Sequence, residues 1–130
     1  MESDESFWVI PESVILRTPL GILREQAEDL TRRTKGLLKG VVRSTTDIED
    51  HIIDTLIIEV PNLGNYKFAV LDYTHPVTLY PGLIEFRMKS QSSRVADEAS
   101  LLNAVKTILK SSEMRQVVLG LLAQAKEATA

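Results

Sequence analysis

From Leu20 onward, apolar or small side chains recur at Leu20, Leu23, Ala27, Leu30, Thr34, Leu37 and Val41, in alternating steps of three and four. That spacing lays them along one stripe of an α-helix. Thr18 and Pro19 form its start: threonine can accept from a free amide of the first turn, and proline has no N–H to leave unpaired there. A helix with one apolar stripe needs a second apolar surface to cover it, so the remainder of the chain must supply one. On the opposite face Glu28 precedes Arg32 by four residues, and Asp29 precedes Arg33 by four, the orientation that favours helix ion pairs.

The covering surface reads as a sheet. After the polar stretch RSTTDIED, taken as a linker, TLIIEV has strand character, PNLGN a turn, and YKFAVLDY a second strand in which Tyr66, Phe68 and Val70 alternate with Lys67 and Ala69. VTLY and LIEFRMK continue extended, the latter with Ile84, Phe86 and Met88 on one side and Glu85, Arg87 and Lys89 on the other. SQSSRVADEAS then ends the sheet. Two helical patterns follow, Leu101 to Leu109 and Met114 to Ala125; Ser111 or Ser112 caps the second, and Gly120 within it suggests a close crossing. The expectation is an α+β fold: a long N-terminal helix, a three- or four-stranded antiparallel sheet, and two C-terminal helices packed on it. Residues 1–18 form a mobile or extended arm, and 19–130 a single domain.

Composition removes several functions. The 130 residues contain no cysteine, which excludes disulfides, thiolate nucleophiles, zinc–cysteine sites and iron–sulfur clusters. A net charge of −3 argues against coating nucleic acid or an anionic membrane. The opening MESDESFWVIPE lacks a basic n-region and a long apolar run, and no segment approaches the length that spans a bilayer, so a cytoplasmic protein without membrane contact is expected. Dinucleotide, P-loop, zincin and nucleophile-elbow motifs are absent, and no cofactor is expected.

The most reactive-looking stretch is LDYTHPVTLYPG, residues 71–82. Read as geometry, Pro76 and the Pro81–Gly82 pair turn and redirect strands. Read as chemistry, His75 is a base oriented by Asp72, with Tyr73 and Tyr80 beside it. The geometric reading is favoured, because no serine or cysteine nucleophile motif accompanies the histidine. His51 lies among Asp47, Glu49, Asp50 and Asp54, but the spacing is wrong for an EF-hand and a solvated linker without metal is expected. Arg32, Lys35, Lys39 and Arg43 would share a helix face that could contact phosphates, although without interleaved aromatics a solvated face is favoured.

PLGILREQAEDLTRRT at 19–34, NYKF, DYTHPVTLYP and LLAQ at 121–124 give the chain a resemblance to a group of small uncharacterised bacterial proteins. The resemblance implies no activity. Its helix-opening pattern pairs Glu25 with Gln26, and Gln26 borders the apolar stripe. The two side chains fit either a polar contact to the strand connection or a binding surface where helix and strand ends meet. The functional expectation is a non-enzymatic interaction domain with a protein partner, a second copy or an immunity- or antitoxin-like target among the forms considered. The rivals are a ligand-binding domain or enzyme built on Asp72, His75 and Tyr80, and nucleic-acid binding through the basic stripe.

Overall fold

A computed structural model describes residues 6–12 and 16–128. Helix α1 spans Pro19–Arg33 and opens as its sequence dictates, with the Gly21 amide donating to Thr18 Oγ1 at 3.0 Å. It ends about two turns earlier than the stripe to Val41 implies. Lys35 and Gly36 take positive φ values of 52° and 82°, and the chain leaves as strand β1, Lys39–Thr46. Two glycines and the β-branched run Val41, Val42, Thr45 and Thr46 outweigh the helical spacing, because glycine weakens a helix and branched side chains suit a pleated surface. Leu37 and Val41 are therefore not helical. The segment read as a linker is mostly the end of β1 and a tight hairpin into β2, Ile52–Val60.

Strand β3, Tyr66–His75, follows a short 3-10 turn at Pro61–Leu63 that closes through Gly64 and Asn65, both at positive φ. β4 is Gly82–Phe86 and β5 is Gln91–Val95. The five strands pair antiparallel in the order β1-β2-β3-β4-β5, two of them unforeseen. β1 was masked by the helical spacing. β5 was masked by its polar composition, which follows from its position at the sheet edge: only Val95 of its five residues is buried. Residues 76–81 turn rather than extend. LIEFRMK stops as a strand at Phe86 and becomes a 3-10 turn, which leaves Met88 exposed.

One face of the sheet carries the core. On β2 the inward positions are Asp54, Leu56, Ile58 and Val60. On β3 the alternation switches phase: Leu56 pairs with Leu71 and Ile57 with Ala69, so Val70 is the extra residue of a bulge and both Val70 and Leu71 are buried. Tyr66, Phe68 and Val70 thus follow the expected rhythm up to the bulge, and Leu71, Tyr73 and His75 continue it in the opposite phase.

Helix α1 lies over β1 with Ile22, Leu23 and Ala27 buried. Burying a side chain such as Leu23, which is fully enclosed, contributes about 1.5 to 3 kcal/mol. The approach is close enough that a Cβ on Gly40 would overlap the Ala27 backbone. Thr31 Oγ1 fastens this crossing, accepting from the Gly40 amide at 2.9 Å and donating to the Ala27 carbonyl at 3.1 Å. Of the expected helix ion pairs, Arg33 reaches Asp29 at 3.8 Å, and Arg32 also pairs with Asp29 rather than with Glu28.

α2, Glu98–Leu109, and α3, Ser112–Ala128, complete the layer, burying Leu101 and Val105 from one and Met114, Leu121 and Ala125 from the other. Ser111 caps α3 by accepting from the Met114 amide at 3.2 Å. Gly120 marks no crossing, since a Cβ there would meet open space. No helix among the described residues is long and apolar enough to cross a membrane.

Candidate functional site

Two regions gather the side chains singled out by the sequence. The first is the end of β3. The rival chemical reading pairs Asp72 with His75, but residues three apart on a strand point to opposite faces. Asp72 lies on the outer face, where it accepts from Thr55 Oγ1 at 2.6 Å and from Arg87 at 2.8 Å. That ion pair also holds the Arg87 guanidinium above its usual range, chiefly through the hydrogen bond to Asp72.

His75 points inward, 3% exposed, with Nε2 at 2.8 Å from Oδ2 of Asp54, itself 2% exposed. Its other nitrogen, Nδ1, sits 2.8 Å from the Pro76 carbonyl oxygen, and Ser44 donates to Asp54 Oδ1 at 2.5 Å. A carbonyl only accepts, so Nδ1 must carry a proton, and the Nε2–Oδ2 contact needs a second on one of its two atoms. The pair is therefore neutral as a unit, which is how two ionisable groups survive burial. Both ring nitrogens are committed to the protein, so neither is left to take a proton from a substrate.

Tyr73 and His75, two apart on one face, stack at a centroid distance of 5.0 Å, and Tyr80 lies 6.2 Å from Tyr73. Tyr73 donates to the Leu79 carbonyl at 2.8 Å, holding a turn in which Leu79 sits at φ 82° and donates back to Pro76. Burial pushes the Tyr73 phenol up to about 12, and it raises Tyr80 too, helped there by Glu98. The Tyr80 hydroxyl is the one buried side-chain polar atom among the described residues without a hydrogen-bond partner. Gly82 is required where β4 begins, because a Cβ there would strike the Tyr73 ring and the Thr74 carbonyl. The stretch 71–82 thus folds as a packed corner.

Asp54, which the sequence groups with the acidic linker, is a buried residue of β2. Its signal in the sequence is phase: it falls in step with Leu56, Ile58 and Val60, so a strand that buries those three buries the carboxylate as well. The other acids of that segment do form a hairpin turn. Asp47 accepts from the amides of Glu49 and His51 at 2.9 Å each, and the His51 amide above all, with Glu49's, lowers its pKa. Asp47, Glu49 and His51 bring ligand atoms within 4.8 Å of one another at the surface. The turn itself accounts for that proximity.

The four basic residues do not form a stripe. Arg32 lies in the last turn of α1 against Asp29, Lys35 is in the turn, and Lys39 and Arg43 project from the outer face of β1, where Arg43 reaches Glu59 at 3.7 Å. Glu25 pairs with Arg17.

The second region is a groove of about 690 Å³ between α1 and the α2–α3 pair. Its floor is Leu56, Ile58 and Val70 of the sheet. Its walls include Leu30, Leu102, Leu109 and Val118, all half-buried, and the rim carries Gln26, Asp29 and Arg33 on the α1 side opposite Lys106 and Lys110 on the α2 side. Of the candidate residues only Gln26 reaches it. The groove exists because α1 follows β1 while α2 starts from the far sheet edge, leaving apolar sheet between them. No such gap can be read from a linear sequence, since it depends on where separately amphipathic helices settle. No family model, curated protein or solved structure matches this chain.

Proposed function

We propose that the protein is a non-enzymatic interaction domain whose binding surface is the groove between α1 and α2–α3. The observation that carries this reading is the groove itself: apolar walls over an apolar floor, within the roughly 300 to 1,000 Å³ range of ligand sites, edged by polar groups that could orient an occupant. Lys106 and Lys110 give the α2 side a positive rim, so an apolar segment bearing negative charge is the chemistry that fits. The corner at residues 71–82 supports the same conclusion by contrast, since its histidine and two of its carboxylate and phenol partners are spent on one another and on the backbone.

An NMR titration with anilinonaphthalene sulfonate, an apolar anion, tests the surface. Shifts are expected to concentrate on Leu30, Leu102, Leu109 and Val118 and to weaken in Leu109→Glu and in the exposed double variant Lys106→Glu/Lys110→Glu. Thermal melts confirm that each variant is folded. Shifts scattered over the outer sheet face, or unchanged in both folded variants, would remove the groove as the binding surface.

A further inference from the structure

Phe7, Trp8, Val9 and Ile10 form a continuous apolar segment in which every side chain is between 78% and 95% exposed. Four adjacent large apolar residues held in water by a single chain are an unmet hydrophobic demand, of the kind that marks an interaction site. The segment is acidic at its borders: Glu2, Asp4 and Glu5 precede it in the sequence and Glu12 follows it. The groove has the opposite pattern, apolar within and positive at Lys106 and Lys110.

We infer that the Phe7–Ile10 segment of one copy docks into the α1/α2–α3 groove of a second copy, giving a dimer by reciprocal arm exchange. This rests on the groove being the binding surface. The isolated chain leaves the segment in solvent rather than on its own body, which is the reason for choosing a second copy. The area is sufficient. An aromatic side chain buries about 150 to 250 Å², so a segment with two aromatics and two aliphatics hides on the order of 500 Å². Two such arms with the grooves that receive them exceed the roughly 1,200 Å² at which stable interfaces begin.

Trp8 is the chain's single tryptophan, so its emission reports the arm directly. Sedimentation and fluorescence are followed across a dilution series of the full chain. The expected result is a doubling of mass and a blue shift of Trp8 emission with one shared midpoint. Phe7→Ser/Ile10→Ser should abolish both while leaving the body folded, with the melting temperature of the parent at dilutions where it is monomeric. Lys106→Glu/Lys110→Glu should weaken dimerisation about tenfold or more, a loss of about 1.4 kcal/mol.

Mixing gives the sharpest test, because the arm variant and a Leu109→Glu groove variant should each be monomeric alone. Together, at concentrations above the parent's midpoint, they should form a weaker one-to-one dimer held by a single arm, in which the Trp8 of the groove variant shifts to the blue. Three results overturn the inference: a blue shift in a species that stays monomeric, a dimer indifferent to the arm variants, or a monomer whose Trp8 stays solvent-like throughout. Anilinonaphthalene sulfonate binding to the arm variant separates the two claims. Binding at the groove keeps the interaction surface and removes only the exchanged arm, whereas absence of binding there removes both.

Discussion

Asp54 and His75 show how a single position can reverse the meaning of its neighbours. A histidine beside a Thr and a Pro reads as a turn residue in water, and its replacement would then cost little. Buried against Asp54, its loss leaves a carboxylate inside the protein with only Ser44 to satisfy it. Asp54→Ala is expected to cost about 3 to 5 kcal/mol, since breaking a buried pair strands the remaining partner. Urea denaturation measures this, and a loss below about 1 kcal/mol would show the pair to be dispensable. The two tyrosines should part company in the same assay. Tyr73→Phe removes a hydrogen bond to Leu79 and should cost about 1 kcal/mol, whereas Tyr80→Phe removes a hydroxyl without a partner and should be neutral or stabilising.

Among the elements, the contact that decides the architecture is the crossing of α1 over β1. Helix and strand approach until no Cβ fits at Gly40, and Thr31 bonds to both backbones there. Gly40→Ala is expected to destabilise by about 1 to 3 kcal/mol, as overpacking does when the obstacle is backbone that cannot rotate away. Gly120→Ala, into open space on α3, should instead gain up to about 1 kcal/mol from helix propensity. Paired denaturation curves check both signs, and a Gly40→Ala variant as stable as the parent would mean that the helix can lift off the strand at no cost. The end of α1 follows from the same local chemistry: Lys35 and Gly36 at positive φ cannot continue a helix, whatever the spacing of the leucines beyond them.

For the whole molecule, ionisation defines the range over which the fold is stable. At the acid end Asp97 is lowered by the Ser100 amide it caps, Asp47 by the His51 amide, and Glu113 by its own backbone amide and then by Lys89 at 3.2 Å. A carboxyl lowered on folding contributes stability above its unfolded pKa and loses it as pH falls through the folded one, so stability should decline below about pH 4. At the alkaline end Tyr73 moves from 10.0 to about 12. The unfolded phenol ionises first, so this contribution is complete below pH 10 and disappears as pH rises towards 12, a loss on the order of 2 kcal/mol. Melting temperature against pH should therefore show a plateau bounded on both sides, with a shallower alkaline fall in Tyr73→Phe. An identical fall in that variant would place the alkaline transition elsewhere.

The start of α1, the turn at PNLGN and the cap of α3 follow from the sequence alone, because each rests on contacts between residues a few positions apart, and the α+β class follows from the two periodicities of its apolar residues. Thr18 and Ser111 bond to amides three residues on, and Gly64 needs only its own freedom at positive φ. What tertiary structure decided was everything that depends on phase or on distant neighbours. A one-residue bulge at Val70 sets which side of β3 faces the core, and so turns His75 rather than Asp72 inward, where it meets Asp54, 21 positions away. Strand β5 was not legible because a polar edge strand owes its pairing to the partner strand rather than to its own apolar pattern, and β1 was hidden by the helical spacing that runs on through Leu37 and Val41. The groove is of the same kind: its walls belong to three helices and its floor to two strands, and only their packing leaves the space between them.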